Sequence, residues 1–523
     1  MNLNKKQSNN KQLFINIFAQ LIAFIVSMGI SFVLTPFIVK NVGKEAYGFV
    51  GLANDFVNYA EIVTVALNSM AARFITIRLH RNDIESVNKY FTSILIVNVF
   101  LAILFSIPSV VIVIFMDRFL SVPAIIVKDI RLLWALIFLN FMITMIGSVF
   151  EISVFARNRL EIESLRKIKS NLLRGLLLLV LFSLISSSVW YIGVVSVVCT
   201  LYIVLYNIKY TKILLPEVTI RKKYFDINKI KTIVSSGIWN SISKLSCILL
   251  SGLDLLLSNI FIGAAAMGTL SLSKTLPNAI LSVFGLISSA FAPEFTIYYA
   301  EKKFDELKNQ LLFSIKILGF IASIPNAILF AYGKEFFRLW VPGQNENQLY
   351  VLSLVIASEL VFAMPLESLW NVFAVTNKVK KSSLSILISG ILTILTLFIG
   401  FTFCVNTDIR LLIIGGTSSF YGIIRSLTFL PIYGAKCLEL KWSIFYRPIF
   451  KNVINVLIIT LFSFMVKYLI NINSWATLII CSIITLLFSI LINSILTFNE
   501  SERMKVIEMV NNKLKIRKKT KLL

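Results

Sequence analysis

The stretch VKNVGKEAYGFVGLAND, Val39 to Asp55, has a counterpart in SNIFIGAAAMGTLSLSKT, Ser258 to Thr275. Gly43 and Gly48 in the first answer to Gly263 and Gly268 in the second, at an offset of 220 residues. Each glycine pair lies between two long apolar runs, so both passages read as a turn joining neighbouring helices. Working outward, RNDIESVNKYFTSI (81–94) lies over KKFDELKNQLLFSI (302–315), and FSIPSV (105–110) over ASIPNA (322–327). FLSVP (119–123) matches RLWVP (338–342), and SVFARNRL (153–160) matches NVFAVTNKV (371–379). Apolar segments resemble one another by composition, so one such match carries little. Several matches in one order, all at offsets of 217 to 221, read as a duplication.

Composition sets the class in which this duplication operates. The 523 residues are 57% hydrophobic and 15% charged, with 42 phenylalanines, whereas soluble domains carry about 25% charged residues. Apolar runs of about 20 residues recur along the chain, each long enough for a bilayer core of about 30 Å. The fold expected is therefore an all-α polytopic membrane protein. Fourteen spans are read, at 13–39, 46–70, 91–116, 125–152, 171–188, 190–208, 233–259, 266–292, 311–333, 347–374, 383–403, 409–433, 451–470 and 474–496. The first run is too long for a signal-peptide core and lacks a small-residue cleavage site, so it reads as an uncleaved helix. Six spans per repeat is an even number, which puts both copies in the same orientation, related by a pseudo-two-fold axis along the membrane normal. The expected division is an N-lobe (1–208), a linker (209–232), a C-lobe (233–433), two further helices (434–497) and a basic tail (498–523).

A formal charge of +25 invites a nucleic-acid reading, but its placement argues otherwise. With the N-terminus inside, the connections on that side hold 38 of the 51 Lys and Arg and the opposite connections nine. Short basic loops resist translocation, so this asymmetry is a topology signal. It predicts a bacterial plasma (inner) membrane protein with both termini cytoplasmic. The tail, ending KLKIRKKTKLL, has apolar residues at helical spacing and is expected along the inner lipid surface.

Catalytic and metal chemistry find no support. Cys199, Cys247, Cys404, Cys437 and Cys481 are scattered without paired spacing, and His80 lies alone in a basic loop. No nucleophile triad, phosphate-binding loop or nucleotide fingerprint stands out. The expectation is a protein that is not an enzyme and holds no cofactor.

Polar residues inside the spans are the more informative ones, because a charge at the bilayer centre costs at least about 2.5–3.5 kcal/mol unless it meets water, a partner or a substrate. Helical spacing puts Ser271, Lys274, Asn278, Ser282, Gly285 and Ser289 on one face of the eighth span. Ser236, Asn240, Ser243, Cys247, Ser251, Asp254 and Ser258 share a face of the seventh, with Lys244 beside them. The second span presents Asn54, Asn58, Glu61 and Asn68, with Asp55 adjacent, and Gln20 is the corresponding group in the first. At the 220-residue offset Asn54 matches Lys274 and Asn58 matches Asn278. The serines, Gly285 and Cys247 read as helix-to-helix packing; Lys274 and Asp254 read as cavity-facing, with mutual neutralisation of Asp254 and Lys244 or Lys274 as the alternative. Arg425 with Glu359 and Glu367 would form a pair inside a bundle, Lys316 would reach for the interface, and Arg73 ends the second span at the inner side.

With fourteen spans in a 6+6+2 layout, the VGKEAYG and IGAAAMG turns, and SAFAPEFTIYYAEKKFDELK (289–308), the chain resembles the Wzx-type polysaccharide flippases. These belong to the superfamily that also holds the MATE multidrug exporters and the lipid II flippases. The resemblance implies two six-helix lobes with spans 1, 2, 7 and 8 lining a central cavity, and an undecaprenyl-pyrophosphate-linked oligosaccharide as substrate, for O-antigen or capsule. It implies Lys274, Lys244 and Arg73 for the pyrophosphate, and Asn278, Asn54, Asn58, Asn240 and Gln20 for the sugars. Asp254, Asp55 and Glu61 are the candidate groups for a coupling H+ or Na+, with downstream polymerisation as the other open source of drive. Glycosyltransferases, a polysaccharide polymerase and membrane lipids are the implied partners. Lipid II flippases carry arginines in spans 1 and 2 where this chain has Gln20, Asn54, Asp55, Asn58 and Glu61, so another glycan is favoured. A cation-coupled drug antiporter on the same fold is the alternative.

The charge asymmetry makes a direct prediction. Single cysteines placed at Lys222 and Gly343 of a cysteine-free variant should react with impermeant maleimide from opposite faces of the membrane; labelling from one face overturns the assigned topology.

Overall fold

The structure is a computed structural model and describes residues 2–185, 187–376 and 378–497. The expected amphipathic tail at 498–523 lies outside the described residues. Among these residues every regular element is helical. Eleven helices are long and apolar enough to cross a bilayer. The first, Phe18–His80, holds two spans, because the chain bends at Gly43 (φ 84°, ψ 159°). Leu160–Leu184 and Thr407–Leu427 are of spanning length but more polar, the first through Arg166, Lys167, Lys169 and Arg174. The architecture is thus an all-α polytopic one consistent with the fourteen spans expected. Large aliphatic side chains point outward along it: Ile107, Leu205, Leu461 and Leu491 are 64–69% exposed. Apolar surface on this scale requires lipid, and helices whose backbone bonds close within themselves can stand in it.

Several helices outrun their expected spans. The second arm of the first helix continues to His80, and the next starts at Ile84. The basic 156–174 segment, expected as a loop, is helical from Leu160. Acidic Glu161 and Glu163 occupy that helix's first turn, and Lys167 pairs with Glu163 at 2.5 Å across one turn. The two helices read from 171–208 are separate, Leu160–Leu184 and Tyr191–Leu214.

The chain divides into two compact units. The first comprises Met1–Leu272 with Ile386–Ile394 and Cys404–Leu411; the second comprises Ser273–Ser385, Leu395–Phe403 and Leu412–Leu523. The duplication is visible in their local backbone. After the second span, the Asp83 N–H donates to the Arg78 carbonyl at 3.0 Å, with Asn82 left-handed at φ 55°. At the 220-residue offset the Lys303 N–H donates to the Tyr298 carbonyl at 2.9 Å, with Lys302 at φ 58°. Arg159 to Val154 and Lys378 to Phe373 repeat the same closure, each at 2.9 Å. These six-to-one bonds satisfy carbonyls left over at helix ends and turn the chain sharply. Pro108 and Pro325 both lie inside long helices, as their matching positions require.

Within the first unit the opening glycines divide their work. Gly43 and Gly263 (φ 133°) adopt backbone angles that disfavour a side chain and make the two turns. Gly48 and Gly268 meet face to face: a Cβ on Gly48 would lie 3.0 Å from the Gly268 Cα, and one on Gly268 2.4 Å from the Lys44 carbonyl oxygen. About one turn on, a Cβ at Gly51 would lie 3.2 Å from the Oγ of Ser271, its own match at 220 residues. Equivalent positions of the two repeats face each other here, which is the signature of a local two-fold axis.

Gly268→Ala forces a methyl group against a backbone carbonyl and should cost about 1–3 kcal/mol, read as a lower Tm in detergent. Gly285→Ala, whose Cβ would meet nothing within 4 Å, should leave Tm unchanged or raised.

Candidate functional site

In the first unit the second arm of the Asn2–His80 helix lies antiparallel to Ile227–Cys247 and its continuation. A Cβ at Gly237 would come within 2.1 Å of the Ala66 carbonyl oxygen, so the backbones touch there. One turn along, the Ser241 hydroxyl donates to the Ile62 carbonyl at 2.5 Å. Next, Lys244 Nζ donates to Glu61 Oε2 at 2.8 Å and to Asn58 Oδ1 at 3.2 Å. Beyond it, the Tyr59 hydroxyl donates to the Gly252 carbonyl at 2.7 Å. Small side chains at one end let the helices approach, and polar ones join them further along.

The Ile227–Phe261 stretch is not one regular helix. Five residues, Ile248–Gly252, form a π turn before α-helix resumes at Asp254–Phe261. Such turns shift the helix face by part of a turn. Gly252 ends the turn, and Tyr59 gives its carbonyl a partner. Asp254 follows immediately and is buried, and Asp55, one turn before Tyr59, is half-buried; both lie within electrostatic reach of the Tyr59 hydroxyl. Asn259, on the resumed helix, accepts from the Ser121 N–H at 2.9 Å and ties this end to the loop before Pro123.

The Lys244–Glu61 pair is neither sealed nor open, with side chains 27% and 38% exposed. Access of this degree leaves the ammonium available to a competing anion. It also discounts the stability of the pair, since partly solvated ion pairs contribute at most about 1 kcal/mol. Glu61 and Asn58 stand three residues apart, so the face expected for the second span does form and receives Lys244. Asp254 is not the carboxylate that Lys244 bonds; Glu61 is.

The remaining expected positions are distributed as follows. Asn54 is exposed, its amide donating to the Val50 carbonyl of its own helix at 2.8 Å. Gln20 and Arg73 are exposed and Asn240 half-buried, all in the first unit. Lys274 and Asn278 belong to the second unit. Lys274 occupies the break between Ala264–Ser273 and Thr275–Ser289 (φ −72°, ψ −15°), and its carbonyl accepts from the Asn278 N–H at 3.0 Å. Pro277, lacking an N–H, cannot donate to the Ser273 carbonyl, which is the local cause of the break. The Asn278, Ser282 and Ser289 side chains are exposed. Arg425 pairs with Glu359 at 3.3 Å inside the second unit, as expected, and a Cβ at Gly422 would fall 2.0–2.3 Å from that carboxylate.

Sequence reasoning missed Tyr59 and Gly237. Tyr59 sits next to Asn58 on the polar side of the second span, and Gly237 lies one turn before Ser241 on the seventh. Neither advertised a partner in sequence, since both act on backbone atoms some 170 to 190 residues away.

Comparison with known proteins places this geometry. A family described as "Polysaccharide biosynthesis protein" matches residues 13–299. The chain belongs to that family. A relative from Bacillus subtilis (strain 168), the uncharacterized membrane protein EpsK, is 28% identical over 472 residues, 89% of this chain and 91% of its own. Among solved structures, an inward-facing multidrug resistance MATE family transporter of the MOP superfamily matches with a TM-score of 0.62 at 13% identity, covering 80% of this chain and 94% of that one. An outward-facing structure of such a transporter matches at 0.58 and 15%, covering 81% and 96%. A MOP superfamily transporter from Pyrococcus furiosus Vc1, described by a binding pocket of reverse polarity, matches at 0.60 and 15%, covering 81% and 95%. The chain therefore has the MOP transporter fold and is a multi-pass integral membrane protein of the polysaccharide biosynthesis family.

The seam can be tested by a double-mutant cycle. Lys244→Met and Glu61→Gln should each lower Tm, and the double variant should recover part of the loss, with a coupling of about 1 kcal/mol. Additive effects would mean the pair is energetically idle.

Proposed function

We propose that this protein is a flippase that carries undecaprenyl-pyrophosphate-linked oligosaccharide repeat units across the plasma membrane, from the cytoplasmic to the outer leaflet, for a surface polysaccharide. The observation that carries the reading is an intramembrane cation, Lys244, held by Glu61 and Asn58 within the transporter fold of this family. A pyrophosphate bears more negative charge than a carboxylate and offers more acceptor oxygens, so it would outcompete Glu61 for the Lys244 ammonium. Lys274, at the helix break, is the second cation assigned to the head group. Asn58, Asn54, Asn240, Asn278 and Gln20 offer amide donors and acceptors to sugar hydroxyls, and Arg73 meets the anion at the inner end of the second span. The polyprenyl chain stays in lipid throughout, so the protein need shelter only the polar head.

Release of Glu61 from Lys244 by the incoming head couples binding to the seam. The seam holds in the unloaded protein through that pair, through Ser241 and through Tyr59, and the pyrophosphate removes the first of these. Glu61 is then able to exchange a proton or sodium ion, with Asp55 and Asp254 as the neighbouring candidate groups, which would let an ion gradient return the protein to its starting state. Both termini are cytoplasmic in this scheme. Glycosyltransferases supply the lipid-linked unit, and a polymerase consumes it.

Lys244→Ala and Lys274→Ala should reach the membrane at normal levels yet reduce surface polymer by about ten-fold or more, the loss of one charge-assisted hydrogen bond. Lipid-linked units should accumulate on the inner side, measured by extraction and carbohydrate analysis. Normal surface polymer in both variants would remove these cations from the mechanism, and efflux of organic cations instead would favour an antiporter.

A further inference from the structure

Glu61, Glu151, Glu335 and Glu359, all inside spans, each lie 2.8–3.3 Å from a cationic nitrogen. The Glu367 carboxyl, in the tenth span, is half-buried yet forms neither a hydrogen bond nor an ion pair among the described residues. It stands where the α-helical bonding of that span lapses. α-Helix covers Glu346–Ala357, Leu360–Ala363 and Leu369–Val375, with a 3-10 turn at Met364–Leu366. Pro365 has no N–H to donate to the Val361 carbonyl, and the Asn452 amide supplies that donor instead at 2.7 Å. The Glu367 N–H then donates only three residues back, to the Met364 carbonyl at 3.2 Å. The interruptions fall at Ser358–Glu359 and Glu367–Ser368, so each carries one of the two glutamates of the span.

A single cation faces both acids. Arg425, on Thr407–Leu427, donates through one Nη to Glu359 at 3.3 Å, and the two side chains are 10% and 20% exposed. Arg425 and Glu359 are also the charged groups within electrostatic reach of Glu367. Phe304–Trp340 and Tyr446–Leu469 pack against 360–366, and their cations Lys316, Arg447 and Lys451 line a cavity that Glu367 does not border. Ala292–Ala300 and Phe429–Cys437 pack against 369–375; there Glu294 accepts from Gln310 at 2.7 Å and Lys436 is exposed. All three members of the cluster belong to the second unit. Two ionised carboxylates against one guanidinium would leave a net negative charge inside the bilayer, which is costly, and like charges disfavour joint ionisation.

We propose that Glu359, Glu367 and Arg425 form a proton-exchange site in the second unit, in which the guanidinium serves one carboxylate and the other carries an exchangeable proton. In the arrangement of this structure Glu359 holds Arg425 and Glu367 holds the proton. The proton comes from water and returns to it, and no bond between heavy atoms changes. A proton is the economical occupant because it needs only the carboxylate. A metal cation needs several ligands, and no group of three or more His, Cys, Asp or Glu side chains able to hold one occurs among the described residues. Ionisation of Glu367 sets both acids in competition for Arg425, which joins the tenth span to the twelfth, so proton exchange changes what holds those helices together. The site deepens the reading above, on which it rests only for what the proton drives.

The full chain in phosphatidylcholine vesicles is titrated with base while the infrared band of protonated carboxyl groups is recorded. Glu367→Gln should remove one carboxyl's share of the band that the wild type loses as pH rises. Glu359→Gln should remove the same share, because Arg425 is then left to Glu367 alone, and one acid against one cation needs no proton. Arg425→Gln should about double that share, since both acids then lack a cation, and Arg425→Lys should leave it as in the wild type. If Arg425→Gln does not reach the membrane, the two near-isosteric glutamine variants decide the matter. An unchanged band in Glu367→Gln overturns the proposal, as does a wild-type band in Glu359→Gln. Loss of the wild-type band on adding millimolar sodium chloride at constant pH also overturns it, since the occupant is then a metal ion. The titration needs no transported substrate, so its failure is separate from a failure of the flippase reading.

Discussion

Two helices can bring their backbones into contact only where at least one of them lacks a side chain at the crossing, and the first unit is organised around that constraint. Gly48 against Gly268, Gly237 against the Ala66 carbonyl, and Gly390 against Leu249 are places where a single methyl group would crowd main chain. In lipid the hydrophobic effect does not pull helices together, so close packing and interhelical hydrogen bonds must do so. Gly48 and Gly268 are also equivalent positions of the duplicated passage. A glycine needed once by one helix is therefore needed again by its copy, and the two use each other's vacancy.

The same constraint explains why polar chemistry collects along the seam between the 46–80 arm and the 227–252 stretch. From the Gly237 contact outward, Ser241, then Lys244 with Glu61 and Asn58, then Tyr59 with the Gly252 carbonyl join the two stretches in turn. A lysine in this position is tolerated because its partners are present and because part of it is accessible. Those two conditions also describe a site from which a stronger anion can take the ammonium over. Stability and binding draw on one set of atoms here, so a protein selected for binding keeps this pair weaker than a sealed one would be.

Elsewhere the interior polar groups hold helices rather than ligands. Asn98 donates to the Met145 carbonyl at 3.0 Å, Asn493 to Ser323 at 2.7 Å, and Lys467 pairs with Glu335 at 2.8 Å, each joining two helices within its own unit. Gly422 clears room for the Glu359 carboxylate beside Arg425.

The class, the duplication and the polar faces were legible in the sequence, because each depends on composition or on periodicity along one helix. A stretch rich in Leu, Ile and Phe must face lipid wherever it folds, and Asn58 and Glu61 share a face by helical geometry alone. The sequence even carried the role of Gly43 and Gly263, since a conserved spacing between apolar runs leaves only a turn for them to make. What tertiary structure decided was pairing. Lys244 had Asp254 as its nearest obvious acid in sequence, yet a π turn at Ile248–Gly252 intervenes between the two, and the antiparallel arm delivers Glu61 instead. Tyr59 and Gly237 were invisible for the same reason: their partners lie on other helices, and no one-dimensional pattern records which backbone atom will arrive opposite a side chain.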